Sequence, residues 1–246
     1  MTRTATHHRL GVPMWLFLAV YVVTTTGGPI YWHWTRHGLV NMKQAAMSFF
    51  LGLNAIVCIW EMCLFAEIAL IEKKHKAYAK KFKGRAMQLA LDFFSLDVNT
   101  SNIFSSKLWA EVWATYSVFD PSYANSQSFG FFVDTGNGYT TLLPTLIFLI
   151  GMTAHEGNMG TSGYFLGVKY SARALGVIGM LSFYQELYGT CVYFLSFVMN
   201  KRHEALSRFE VAIFVCFTNG LWFILPILGM RISWDLIQDN NFSSLL

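Results

Sequence analysis

Five apolar stretches dictate what this chain can become. They run over about Pro13–Trp32, Ala45–Ile71, Phe129–Met152, Ala172–Met199 and Phe209–Ile232. Each supplies the roughly 20 residues that carry an α-helix across the hydrocarbon core of a bilayer. A backbone in lipid must satisfy its own hydrogen bonds, so all five read as helices. Composition points the same way: 54% hydrophobic, 13% charged and a mean hydropathy of +0.40 exceed what a soluble globule of 246 residues needs. The third stretch is the most interrupted, by Asp134, Gly136, Asn137 and Gly138. Several stretches are longer than a bilayer requires and should tilt or extend beyond it. Trp15, Trp32, Trp34 and Trp234 lie near their ends, as an interfacial aromatic belt would. The expected fold is an all-α, five-span transmembrane helix bundle, a single domain over residues 1–246 with no repeat or linker that divides it.

The net charge of +4 bears mainly on orientation. Lys73, Lys74, Lys76, Lys80, Lys81, Lys83 and Arg85 follow the second stretch, and Lys201, Arg202 and Arg208 follow the fourth. With five spans, both connections share a side with Arg3 and Arg9, and the positive-inside rule puts that side in the cytosol. Arg36, Lys43, Lys169 and Arg231 dilute the asymmetry. A flank that touches anionic lipid heads accounts for the lysine run, and no nucleic-acid partner is expected. The first stretch reads as an uncleaved signal-anchor, which makes the endoplasmic reticulum the expected membrane. Cys58, Cys63, Cys191 and Cys216 all fall in apolar stretches without CxxC or metal-ligand spacing, and read as small buried hydrophobes. Asn99-Thr100-Ser101 and Asn241-Phe242-Ser243 match the glycosylation pattern, and only the second would face a lumen.

Between the second and third stretches, Gly84–Val98 carries Met87, Leu89, Leu91, Phe93 and Phe94, a pattern for a short amphipathic helix on the membrane surface. The Trp- and Tyr-rich Leu108–Tyr123 follows, and Pro121 should stop its helix near Asp120, read here as a turn residue.

Polar residues inside apolar helices are the candidates for chemistry. A carboxylate in mid-bilayer costs roughly 2.5 kcal/mol or more unless paired or wetted. Glu61 shares a helical face with Asn54, and either bonds to another span or faces a ligand as acid or base. Asp134 shares a face with Asn137 and Thr141, as a helix-start cap or a site residue. Glu186 and Tyr193 share a face of the fourth stretch and either line a cavity or bond between helices. Asn219, Trp222 and Pro226, at i, i+3 and i+7, put an amide and an indole on one face, which should turn toward protein or a cavity. His155-Glu156 reads as a solvated loop pair, His7-His8 as an inert tail, and Gly27-Gly28-Pro29 as a kink or close helix contact. There is no P-loop, dinucleotide fingerprint, zinc spacing or nucleophile elbow, so no metal or redox cofactor is expected.

Three segments carry a family resemblance. Trp113-Ala114-Thr115-Tyr116-Ser117-Val118-Phe119-Asp120-Pro121-Ser122-Tyr123 has Trp, Tyr, Asp and Tyr at offsets 0, 3, 7 and 10. It resembles the segment before the third span in the emopamil-binding protein family, the sterol Δ8–Δ7 isomerases of the EXPERA superfamily. Leu187-Tyr188-Gly189-Thr190-Cys191-Val192-Tyr193-Phe194 is similar to the family's Tyr-Gly…Tyr-Phe pattern, and Asn219…Trp222…Pro226 to its Asn-x-x-Trp…Pro signature. The matches cover about Leu108–Arg231. The resemblance implies an intramembrane cavity for sterols and lipophilic amines, with Glu61 and Asp134 as acid/base pair. Trp222 and Asn219 would stabilise a cation, and Glu186, Tyr193, Tyr116 and Asn54 would contact the ligand. The family's second-span His-x-x-x-Glu is here Val57…Glu61, its third-span Glu is Asp134, and its fourth-span Gln is Glu186. The missing imidazole leaves a carboxylic acid as proton donor, a different substrate, or a non-catalytic lipid binder or scaffold subunit. Partners implied are a lipophilic small molecule, membrane lipid, and a second copy or larger membrane complex.

Overall fold

The computed structural model describes residues 11–99, 101–155, 161–165 and 168–246, and within them every apolar stretch is helical. The helices are α1 (Met14–His37), α2 (Met42–Ala66), α3 (Ile68–Lys81), α4 (Ala86–Phe94), α5 (Ser106–Tyr116), α6 (Phe129–Thr153) and α7 (Ala172–Met199). The last long helix is composite. A single turn, α8 (Arg208–Glu210), continues through a π-helical segment, Val211–Phe217, into α9 (Thr218–Asp239). Met14–His37, Met42–Ala66 and the continuous Arg208–Asp239 are long and apolar enough to cross a membrane. α6 and α7 match them in length but carry Asp134, Asn137, Gln185 and Glu186 in their interiors.

Side-chain caps set the starts. Asn41 accepts from the Lys43 and Gln44 amides at α2, Ser128 from Phe131 at α6, and Ser171 from Ala174 at α7. Ser207 and Glu210 form a reciprocal capping box at α8. Because Ser128 caps α6, Asp134 is an interior residue of that helix and not its cap. The expected single helix over Ala45–Ile71 instead breaks at Glu67, whose carboxylate accepts from Ser106 Oγ at 2.5 Å. Beyond the break, α3 leaves α2 to pack on α5.

α2 packs most extensively on α6, and α7 on α9. Gly138 makes the first contact close: a Cβ there would lie 2.7 Å from Glu61 Cβ and 2.8 Å from the Cys58 carbonyl. Gly176 does the same for the second, 2.7 Å from the Ser233 carbonyl. Phe50, Leu51, Phe148, Leu175, Phe183 and Ile232 fill one core between these four helices. A second core joins α2, α3, α5, α6 and α7 through Leu64, Ile71, Trp113, Tyr123, Phe131 and Tyr193.

α1 lies outermost, with Met14 and His33 alone buried. Its start is tied by a short antiparallel pair, β1 (Val12–Pro13) with β2 (Asp97–Val98), and a second pair, β3 (Ser162–Phe165) with β4 (Val168–Ser171), precedes α7. Gly27 and Gly28 face open space, so the expected helix contact there is absent, and α1 continues through Pro29. In α4, Leu89 and Phe93 turn inward while Leu91 and Phe94 are exposed. Cys58 and Cys63 are buried, but Cys191 and Cys216 lie on the outer surface.

His155 also departs from expectation. It is fully buried, stacked at 4.7 Å on His37 and at 4.6 Å on Phe242. Burial, then the neighbouring His37 and His33, push its imidazole down to about 3. Its expected partner, Glu156, lies outside the described residues.

Candidate functional site

A cavity of about 340 Å³ opens between α2, α5, α6, α7 and the junction of the π-helical segment with α9. Glu61, Asp134, Tyr116, Tyr193, Asn219 and Trp222 all line it. Six of the eight residues singled out from sequence therefore meet at one space. The other two, Asn54 and Glu186, stand behind the wall.

Glu61 reaches the cavity because Gly138 has no side chain to hold α6 away from it. Asp134 stands one turn before Gly138 on α6, with Tyr123 beside it. Glu61 is buried, and no hydrogen bond or ion pair to a described residue engages its carboxyl. A buried acid without a protein partner, opening onto a cavity, is available to a ligand.

Behind Trp222 lies a closed polar network. Asn54 Oδ1 accepts from Trp222 Nε1 at 2.7 Å, and Asn54 Nδ2 donates to Glu186 Oε1 at 2.7 Å and to Thr145 Oγ1 at 2.9 Å. One amide thus joins α2, α6, α7 and α9. The indole N–H is consumed by this bond, which leaves Trp222 only its ring to offer a ligand. An edge contact with Phe50, 5.9 Å between centroids, fixes the ring further.

The π-helical segment shapes the opposite wall. Tyr116 Oη donates to the Phe214 carbonyl at 2.9 Å, and Asn219 Nδ2 donates to Tyr116 Oη at 3.0 Å. The wider winding lets an outside hydroxyl reach a main-chain carbonyl, a device found at functional sites in other helices. Burial pushes the Tyr116 phenol up to about 12, so it stays a neutral donor.

Tyr193 lines the cavity with its ring but donates its hydroxyl to Asp120 Oδ2 at 2.9 Å. Asp120 caps the turn after α5, accepting from the Ser122 amide at 3.0 Å, as its reading as a turn residue required. It does more than that. It is fully buried and chelated by Arg202 Nη1, at 2.8 Å and 2.9 Å from its two oxygens. Sequence reasoning missed Arg202, since nothing in a loop arginine marks it as the mate of an aspartate on another connection. It also missed Trp60, which lines the cavity and whose Nε1 is buried without a hydrogen-bond partner. Adjacency to Glu61 was the available signal.

No protein-family model, curated protein or solved structure matches this chain.

Proposed function

We propose that this is a five-span membrane protein of emopamil-binding type that moves a double bond in a sterol or related isoprenoid. One carboxyl, Glu61 or Asp134, delivers a proton to an alkene carbon and leaves a tertiary cation on its neighbour. The other carboxylate removes a proton from the adjacent carbon, and the double bond re-forms one position along. Protons balance and no electrons are gained or lost, so no redox cofactor enters. The aromatic walls around Trp222 stabilise the cation and exclude water that would capture it. The endoplasmic reticulum is the proposed membrane, with the N-terminus cytosolic.

One observation carries the reading: two acids from different helices open onto a single aromatic-walled cavity, and one of them, Glu61, has no hydrogen-bond partner among the described residues. Expression in a strain that lacks sterol Δ8–Δ7 isomerase tests it. Restored Δ7 sterols, lost on Glu61→Gln with protein level unchanged, support the reading; no Δ7 sterol from well-expressed protein overturns it.

The rival is a non-catalytic lipid-binding protein or a scaffold subunit of a larger membrane assembly. Val57, one turn before Glu61, favours it, because no imidazole stands there to relay a proton. Saturable binding of a lipophilic amine without turnover would select the binder. Copurification in a stoichiometric complex without ligand binding would select the scaffold.

A further inference from the structure

Far from the cavity, the described residues hold a cluster of three imidazoles that the isomerase reading does not use. Leu18 of α1 lines the cavity, and His33 lies about 22 Å further along the same helix. We infer that His33, His37 and His155 form a binding site for a divalent ion of the zinc class.

His33 and His37 stand four residues apart on the last two turns of α1, so both imidazoles leave one face. His155 arrives from the end of α6, and one nitrogen from each ring lies within 4.8 Å of the others. Zinc–nitrogen bonds of about 2.0–2.1 Å place tetrahedral ligand atoms about 3.4 Å apart. The cluster must close by about 1.4 Å, and the rings must turn to do so.

Backbone carbonyls flank both nitrogens of His33. Nε2 lies 2.9 Å from the Leu245 carbonyl, and Nδ1 lies 3.3 Å from the Leu39 carbonyl. A neutral ring carries one proton, and the shorter contact holds it on Nε2. Nδ1 then carries a lone pair, which an ion reaches only if the ring turns from the Leu39 carbonyl, while the Nε2 donation to Leu245 matches the backbone bond that orients metal-bound imidazoles. His37 Nε2 is a second observation. It is buried and has no hydrogen-bond partner. The rings of His37, His155 and Phe242 stack within 12° of parallel at each step, so His37 or His155 must tilt out of the stack to bring both nitrogens onto one ion.

Three neutral imidazoles suit zinc, cobalt or nickel and leave a fourth position for water. Bound there, the ion ties the end of α1 to the end of α6. None of the three residues lines the cavity, so this inference stands or falls apart from the proposed activity.

The test uses the full chain without a polyhistidine tag, in a His7→Ala/His8→Ala background that removes a competing pair. Protein stripped with chelator is titrated with zinc and with cobalt in detergent, and bound metal and melting temperature are measured. About one equivalent should bind, raise the melting temperature, and give cobalt the visible absorption of tetrahedral coordination. His37→Phe and His155→Phe keep the ring stack but remove a ligand nitrogen, and each should weaken binding by at least about 10-fold. Should His155→Phe fail to fold, the half-buried His37→Phe decides. No stoichiometric metal on the parent, or unchanged affinity in His37→Phe, overturns the site.

Discussion

Asn54 joins four helices through one buried amide. Asn54→Leu keeps the branched shape but removes three hydrogen bonds, to Trp222, Glu186 and Thr145. Interhelical bonds in membrane proteins average about 0.6 kcal/mol each, which would give about 2 kcal/mol. That sum omits what stays behind. The Trp222 N–H loses its acceptor, and Glu186, 1% exposed with Oε2 already unpartnered, loses its donor. Each buried orphan adds about 1–3 kcal/mol, so the expected loss is about 4–8 kcal/mol. Reversible unfolding in mixed micelles or by steric trapping in bicelles measures it. The decisive comparison is Asn54→Leu/Glu186→Leu. With the orphaned carboxyl gone, the double variant should be more stable than the Asn54→Leu single. A single-variant loss of about 1 kcal/mol or less, or a double variant in which the two losses simply add, would refute the orphan argument.

Gly138→Ala should destabilise by about 1–3 kcal/mol in the same assay, because the new Cβ meets backbone atoms of α2 that cannot yield. Gly136→Ala, which faces open space, should be nearly neutral. Arg202→Met leaves Asp120 buried and unpaired and should cost about 3–5 kcal/mol, most of it recovered by adding Asp120→Asn. In metal-free protein, His155 titrates near 3 when folded against 6.5 in its ordinary state, so the unfolded chain takes up the proton first as pH falls. Stability should be level above pH 6.5 and decline between 6.5 and 3, by at most about 1.4 kcal/mol per pH unit for this one proton. His155→Phe should flatten that slope in a melting-temperature series.

Hydropathy located the long helices because a run of apolar side chains leaves little else for a backbone to do. It did not locate the break at Glu67, since Ile68, Leu70 and Ile71 continue the apolar run and turn toward α5. Helical phase put Asn54 and Glu61 on one face but not against one neighbour. Two turns apart, the amide meets Trp222 and Glu186 while the acid meets the cavity. Local reading also took His155 for a solvated residue, because its burial is made by α1 and by Phe242, far away in the chain. The Asp120–Arg202 pair escaped for the same reason. Long-range polar partners leave no periodic trace, whereas Asn219 and Trp222 could be found because both lie on one helix.

The pairing of Arg202 with Asp120 has a consequence for what can enter. Arg202 lies 5.7 Å from the centre of the Tyr193 ring at the cavity wall, yet its charge is spent on a neighbour. Among the described residues lining the cavity there is no Lys, Arg or His, while two carboxyl groups open into it. On the proposed reading, such a lining favours a lipophilic cation over an anion, and favours most a neutral guest that gains its positive charge inside.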